Sequence, residues 1–470
     1  MSRADRTAVV VVTWNKHARL RDCLRSLESL ADRGFDVLVV DNASTDGAPE
    51  MVRREFPEVE LLVNDENLGG AGGFNRGMQH ALDAGYGFIW LLDNDVTVAA
   101  EALRILQRVM AERPECGVAG SKIYAAGTGL EFVQELGSFI DWDSAGIRLN
   151  RNGVFDHGRV AETVEVDYVP ACSMLFRSAA VDGQALFDPS YFLYWDDIDF
   201  CHRITLAGWK VLACGESVVN HFSSGERAGT SLTIYYSLRN SLYFVRRYQA
   251  DPAALRACAR RRLERAAERA GLFVTLGRDE LIGTMERAVH DGLAMVRGRV
   301  DDLAVVPLAA GAPSRLAPAR TLVLVAQRPH IFSQCRPAVE QVLGHGEITY
   351  LVNEQHLPDL RAMDTSNVRG HRERQFHAES VEMERHVGGY ERVVLLGKDA
   401  LFANAVEAAL ALGARETFFG DFYCNMIELT SRTLDEQREH GDAFRARWLA
   451  DLDRSELLGA AVAPSGGGAR

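Results

Sequence analysis

The chain has 470 residues, 47% of them hydrophobic and 25% charged, the balance of a globular protein with room for two or three domains and a core that needs no disulfide or structural metal. Its formal net charge of −13 argues against general nucleic-acid binding, which calls for a basic footprint. The eight cysteines are scattered without a C-x-x-C pair, so they read as reduced, mostly buried thiols of a cytosolic protein, neither a zinc site nor a disulfide framework.

The first apolar run, Ala8 to Val12, is a strand's length and falls short of a signal-peptide core. No run reaches the ~18 apolar residues that span a bilayer. The expectation is a cytoplasmic protein, with peripheral contact at the inner face of the plasma membrane as the form of membrane attachment left open. After this strand, Leu20, Cys23, Leu24 and Leu27 mark one face of a helix. Phe35 to Val40 is a second buried strand ending at Asp41, and Glu60 to Val63 a third. Gly73 to Ala84 has a helical pattern, and Phe88 to Leu92 is a fourth strand ending at Asp93. Strands alternating with helices predict a parallel, doubly wound sheet, whose ligands bind beyond the carboxyl ends of the strands. Asp41 and Asp93 stand at two such ends.

Residues 116–222 are less regular and are assigned to the rest of the same domain, 1–230. Residues 231–305 read as a helical extension with a basic run from Arg256 to Arg269. The Pro-, Ala- and Gly-rich segment 306–319 reads as a linker. A smaller α/β domain is expected over 320–451, with strands at Thr321–Val325, Ile348–Val352, Arg392–Leu396 and Glu416–Phe419, and helical patterns between them including Ala400–Leu412. Residues 452–470 are expected to form a tail, disordered around Pro464–Gly468.

Five groups of residues carry chemistry. Asp93-Asn94-Asp95 is a D-x-D directly after a strand; two carboxylates at this spacing suit Mg2+ or Mn2+ shared with a diphosphate, although an exposed acidic turn has the same sequence. Asp41, in Asp41-Asn42-Ala43-Ser44-Thr45-Asp46, can accept hydrogen bonds from a base or ribose; the alternative is a turn and helix cap, which accounts for Ser44 and Asp46 better than for Asp41. Four glycines among Gly69–Gly73, after Asn67-Leu68, let backbone approach a ligand, or simply form a tight turn before a helix. In Tyr194-Trp195-Asp196-Asp197-Ile198-Asp199, Asp197 is the candidate general base and Trp195 a flat face for a sugar ring, whereas Asp199 and Arg203 suit an i,i+4 ion pair. His221 is a candidate metal ligand, although a lone histidine is more often structural.

Taken in order, Val12-Thr13-Trp14-Asn15, Asp41–Asp46, Asn67-Leu68-Gly69-Gly70, Leu92–Asp95, Asp196–Asp199 and His221 resemble the inverting family 2 glycosyltransferases with a GT-A fold, a Rossmann-like mixed sheet. The resemblance covers about half the chain, Arg6 to Tyr248. It implies a nucleoside held by Thr13, Asn15 and Asp41, and a donor pocket lined by Asn67 and Gly70. It implies Asp93 on ribose or metal, Asp95 and His221 on the metal (Mn2+ or Mg2+), Asp197 as base, and Trp195 and Asp196 on the acceptor side. The donor would be a UDP- or dTDP-sugar and the acceptor a glycan or lipid-linked hydroxyl. The glycine-rich segment and Trp195-Asp196-Asp197 look like the bacterial galactofuranosyltransferases. The rhamnosyltransferase branch is similar but commonly has Glu in place of Asp196. Against galactofuranose, Asn94 stands where those enzymes carry a third acid. The helix with Tyr235, Tyr236, Arg239, Asn240, Tyr243, Phe244, Arg246 and Arg247 also resembles the extension of such enzymes, as a surface able to rest on anionic lipid or as ordinary helix packing. Two other functional classes compete: a degenerate scaffold of the same fold, opposed by the intact acids and histidine, and a nucleotidyltransferase, opposed by Thr13-Trp14-Asn15 where a glycine-rich basic loop would follow the first strand.

Overall fold

A computed structural model describes residues 3–306, apart from 31–33, 127–131, 155, 157, 223–229 and 276, and in the C-terminal part 316–325, 336, 339–344, 346–353, 368–371, 390–396, 416–420, 426–428 and 431–458. The first four strands fall where the apolar runs place them: β1 (Thr7–Thr13), β2 (Phe35–Asp41), β3 (Glu60–Val63) and β4 (Phe88–Asp93). They pair in parallel in the order β3-β2-β1-β4. β4 is followed by the short β5 (Val96–Val98), and the sheet continues through β6 (Cys116–Ala125), β7 (Val133–Glu135), a separate hairpin of β8 (Ser138–Asp141) and β9 (Gly146–Leu149), then β10 (Thr163–Glu165), β11 (Ser173–Arg177) and β12 (Lys210–His221). β11 enters antiparallel between β4 and β6, and β12 runs parallel to β6. The result is the mixed α/β sheet expected of a GT-A domain.

Both faces of the sheet are covered, which is why β1 reads as unbroken valine. Val9 and Val11 point to one layer, against α1 (His17–Glu28), α2 (Ala48–Glu55) and α4 (Ala102–Glu112). Val10 and Val40 point to the other, against Phe74 and Met78 of α3 (Gly69–Asp83) and Phe200 and Ile204 of α5 (Asp196–Leu206).

The glycines expected to form a loop before a helix are themselves the first turn of α3, which begins at Gly69 rather than Gly73. Helix propensity argues against glycine there, but packing outweighs it. A Cβ on Gly73 would lie 2.7 Å from Val12 Cγ1, and one on Gly77 2.3 Å from Val10 Cγ1. Gly77→Ala tests this balance. Alanine would gain up to about 1 kcal/mol of helix propensity, but overpacking against a strand costs about 1–3 kcal/mol. The expected outcome is a lower Tm in thermal denaturation.

The extension is helical as expected: α6 (Ser231–Tyr248), α7 (Pro252–Thr275) and α8 (Asp279–Leu293). The membrane-resting surface is not found on α6. Tyr235, Tyr236, Tyr243, Phe244 and Arg246 are all buried, and Arg247 is turned inward onto Asp188 and Asp199 at 2.8 and 3.2 Å. Nor does the basic run form a free patch. Arg261 and Arg265 reach Asp143 and Ser144 of the β8–β9 hairpin, and Arg262 reaches Ser241.

The second α/β unit is also present. Its sheet comprises β13 (Thr321–Val325), β14 (Ile348–Asn353), β15 (Val368–His371), β16 (Arg392–Leu396), β17 (Glu416–Gly420) and β18 (Met426–Glu428), ordered β15-β14-β13-β16-β17-β18. All are parallel except β18. The boundary at 451 is corrected. Helix α9 (Ser431–Asp453) packs on α7 of the extension, and Trp448, Leu452 and Leu457 enter the extension's core, so residues 452–458 are not tail. A Cβ on Gly271 of α7 would lie 2.6 Å from the Gln437 carbonyl oxygen; the two backbones meet because both helices present glycine, Gly271 and Gly441. The helix expected over Ala400–Leu412, most of the linker, Gly397-Lys398-Asp399 and Pro464–Gly468 lie outside the described residues. The six described cysteines are buried free thiols. Among the described residues no helix is long and apolar enough to cross a membrane.

Candidate active site

β4 ends at Asp93 and β12 at His221, and the antiparallel pairing of β5 with β12 sets His221 opposite Val96, next to Asp95. Ligand atoms of Asp93, Asp95 and His221 consequently lie within 4.8 Å of one another. His221 Nε2 is 3.3 Å from Asp95 Oδ1, and Lys16 Nζ donates to Asp95 Oδ2 at 2.9 Å. Asn94, the middle residue, points away from this cluster: its Nδ2 donates to Thr13 Oγ1 at 2.8 Å, tying β4 to β1. That bond accounts for an amide where a third acid would otherwise stand.

The cluster is electrostatically tense. Burial pushes the Asp93 carboxyl up to about 6, Asp95 adds to the rise, and His221 and Lys16 oppose it. Burial also works against the charge of Asp95, but the hydrogen bond and charge of His221, with Lys16, hold its carboxyl well below the usual range. The same contact lifts His221 above its ordinary value despite burial. Two crowded oxygen donors and an imidazole fit a divalent cation, which removes the repulsion between the acids.

On β7, Gln134 Nε2 lies 3.1 Å from His221 Nδ1, while Gln134 Oε1 is buried without a partner. With the amide turned end for end, its oxygen would accept the His221 Nδ1 proton and its NH2 would take the unpartnered position, and the His221 Nε2 lone pair would then face the acids, as in the tautomer that ligates metal. Glu135, beside it, is pushed up to about 7 by burial, with Asp197 adding to the rise and a 2.5 Å bond from Ser138 Oγ opposing it. The sequence reading found neither residue, nor Lys16.

At the carboxyl end of β2, Asp41 serves as the turn cap. Its Oδ1 accepts from Ser44 N at 2.8 Å, as a turn cap does; its Oδ2 is buried with no partner, an acceptor that a base or ribose would complete. Asn15, in the left-handed region at φ 50°, accepts from Thr45 N at 2.7 Å and donates its own N–H to Ser44 Oγ at 2.9 Å. Asp46 caps α1 through His17 N at 2.7 Å. Asn67 Oδ1 receives Gly69 N at 2.9 Å, and a Cβ on Gly70 would lie 3.7 Å from Asp196 Oδ2. The glycine-rich turn and the second acid pair are therefore neighbours.

Asp196 and Asp197 open α5. Asp197 accepts from Ala171 N at 3.3 Å and Ile198 N at 2.8 Å; burial pushes it up to about 6 against those bonds. Asp196 is pushed well above the carboxylate range by burial and by the charge of Asp197. Environments that separate two neighbouring acids are the pattern of paired proton-handling groups. Asp199 and Arg203 form the i,i+4 ion pair at 2.8 Å. Trp195 does not present a face to solvent: it is 6% exposed, with its ring 5.2 Å from that of Phe244. Tyr194 and Trp195 both adopt left-handed φ, 62° and 74°, ahead of α5, and in this turn Trp195 packs into the core while Tyr194, 45% exposed, stays outside.

Acids and an imidazole are thus gathered beyond the carboxyl ends of an α/β sheet, where such folds bind their ligands. Residues 8–182 match the family model described as Glycosyl transferase family 2. The chain is 26% identical over 251 residues to an N-acetylglucosaminyl-diphospho-decaprenol L-rhamnosyltransferase of Mycobacterium tuberculosis, covering 49% of this chain and 82% of the relative. It is 36% identical over 95 residues to a galactofuranosyltransferase of Mycolicibacterium smegmatis, covering 20% and 32%. Among solved structures, S. aureus TarS 1–349 aligns with a TM-score of 0.41 at 16% identity, over 62% of this chain and 81% of that one. Residues 8–182 thus form a family 2 glycosyl transferase segment, and the chain is a transferase enzyme. Asp197 and His221 lie beyond the segment matched by the family model.

Proposed function

We propose that this enzyme moves a hexose from a nucleotide-sugar to a hydroxyl of a glycan or lipid-linked acceptor, with inversion at the anomeric carbon. The observation that carries this reading is the Asp93–Asp95–His221 cluster with Asp196 and Asp197 beside the glycine-rich turn. Asp41 and Asn15 would hold the nucleoside and the turn at Asn67–Gly70 the donor sugar. Asp197 would accept the proton of the acceptor hydroxyl as its oxygen bonds to the anomeric carbon and the bond to the diphosphate breaks. Asp196, kept protonated, would donate a hydrogen bond to a substrate oxygen. When bound at Asp93, Asp95 and His221, Mn2+ or Mg2+ would neutralise the leaving diphosphate.

Galactofuranose from its UDP donor is the favoured sugar, on the Asp196-Asp197 pair and the glycine-rich segment. Rhamnose from a dTDP donor is the second reading, favoured by the relative that matches about half of this chain. A lipid-linked acceptor is proposed by analogy with the decaprenol-linked substrate in that relative's name. The test is nucleoside diphosphate release from a panel of UDP-, dTDP- and GDP-sugars with Mn2+ or Mg2+ and polyprenyl-linked acceptors. Metal-dependent release from one donor, abolished by chelation, is expected. A folded protein that binds no nucleotide and turns over no donor would return the chain to the scaffold reading.

A further inference from the structure

Arg239-Asn240, in the middle of α6, takes no part in the chemistry described above, yet Arg239 is fully buried and Asn240 nearly so. Their polar atoms converge on one turn. Asn240 Nδ2 donates to the carbonyl oxygens of Tyr191, Leu193 and Tyr194 at 2.9, 2.7 and 2.9 Å. Arg239 Nε donates to Asn240 Oδ1 at 2.9 Å, which fixes which end of the amide faces the turn. The guanidinium also reaches the carbonyl oxygens of Ser190 and Tyr191 at 3.3 and 3.1 Å, and that of Gly298 at 2.7 Å. It lies over the rings of Tyr235 and Tyr236, so a buried charge is balanced by main-chain dipoles and π faces.

The turn so held is an unfavourable one. Phe192, Tyr194 and Trp195 have φ of 63°, 62° and 74°, a region where residues with a Cβ are disfavoured and which persists only when the surroundings impose it. It also stands at a junction. Phe192 O accepts from Ala71 N at 3.4 Å, and a Cβ on Gly69 would lie 2.3 Å from that same oxygen. The last residue of the turn, Trp195, leads directly into Asp196 and Asp197. One strained turn therefore sets the distance between the glycine-rich turn of α3 and the acid pair of α5.

We propose that Arg239 and Asn240 are positioning residues for transfer: they hold the 190–195 turn in its left-handed form and so fix the acids of α5 relative to the donor. This rests on the glycosyltransferase reading above. Ordinary packing would require apolar contact alone, whereas six hydrogen bonds to main-chain oxygens, directed at the turn that precedes the acids and its neighbour Gly298, impose a backbone conformation.

The experiment compares wild type, Asn240→Ala, Asn240→Ser and Arg239→Lys, each alone and with Tyr194→Gly, in the full-length protein with Mn2+ and the active donor. For Asn240→Ala, a fall in kcat of about 100-fold is expected, with UDP and Mn2+ affinity by calorimetry and donor KM within about twofold of wild type. Asn240→Ser and Arg239→Lys, which keep a donor, should fall between. Glycine occupies left-handed φ freely, so Tyr194→Gly should restore part of the lost kcat in the double variants. A folded Asn240 variant with kcat within about twofold of wild type, kcat lost only in parallel with nucleotide affinity, or no rescue by Tyr194→Gly would overturn the proposal. If Asn240→Ala fails to fold, Arg239→Lys and its double variant decide by the same criteria. Wild-type protein without turnover of any donor would instead overturn the enzymatic reading, and this one with it.

Discussion

Asp197→Asn is expected to lower turnover by about 10²–10⁴-fold, the usual contribution of a general base, while nucleotide binding is retained. As the proposed base, Asp197 would work only when ionised. With its carboxyl pushed up to about 6 by burial, kcat/KM should be level above that pH and fall as pH drops through it. Asparagine removes the share of that acid limb due to Asp197, while Asp93, also pushed up to about 6, keeps its own. The sign for stability is opposite. A buried acid whose folded pKa lies above its unfolded value destabilises the fold increasingly as pH rises from about 4 to about 6, and the cost remains above that window. Asp197→Asn should therefore have a Tm at or above wild type at pH 7. A rate assay over pH 5–8 together with thermal denaturation checks both halves. Unchanged turnover would remove Asp197 from the role of base.

The second large effect is expected at Asp95. It is the group to which Lys16 and His221 both bond, and its hydrogen bond, followed by its charge, does most to raise the imidazole above its ordinary value. Asp95→Asn should weaken Mn2+ binding by more than about 100-fold, since even partners outside the ligand shell account for 10–100-fold. It should also lower the His221 pKa toward its ordinary value. Mn2+ titration followed by electron paramagnetic resonance reads the first effect, and histidine proton resonances against pH read the second, neither needing catalysis. An unchanged Mn2+ affinity would mean that the ion binds elsewhere.

The N-terminal strands were legible because burial on both faces leaves only apolar residues, as in Val9–Val12. The ends of those strands named Asp41 and Asp93 for the same reason: a polar residue closing an apolar run has to be explained. The acid–imidazole cluster was legible as two separate pieces, Asp93/Asp95 and His221, whose meeting the structure supplies through the pairing of β5 with β12. The glycine-rich segment misled because propensity describes an isolated helix, and Gly73 and Gly77 answer to the strand side chains beneath them. Trp195 misled because an exposed aromatic beside acids fits a sugar platform, while its packing against Phe244 of α6, invisible in sequence, takes it into the core. Gln134 and Glu135 sit on a strand of three residues, too short for any periodicity, and only the fold brings residue 134 to residue 221. Residues 431–451 were assigned to the domain that precedes them in sequence, but α9 packs on α7 of the extension, since nothing in a helix's own residues says which partner its apolar side chains meet.

The docking of α9 makes the chain's two α/β units unequal in kind. The segment between α8 and α9 leaves the helical layer and returns to it, so the second sheet is an insertion held at both ends rather than a bead on one tether. Its freedom to swing is correspondingly smaller than that of a domain on a single linker. The helical layer, for its part, is completed by residues 431–458. During synthesis that layer is incomplete until residues 431–458 have been made, and a cut at the apparent domain boundary near 306–319 would strip Trp448 and Leu452 from the core beside α7.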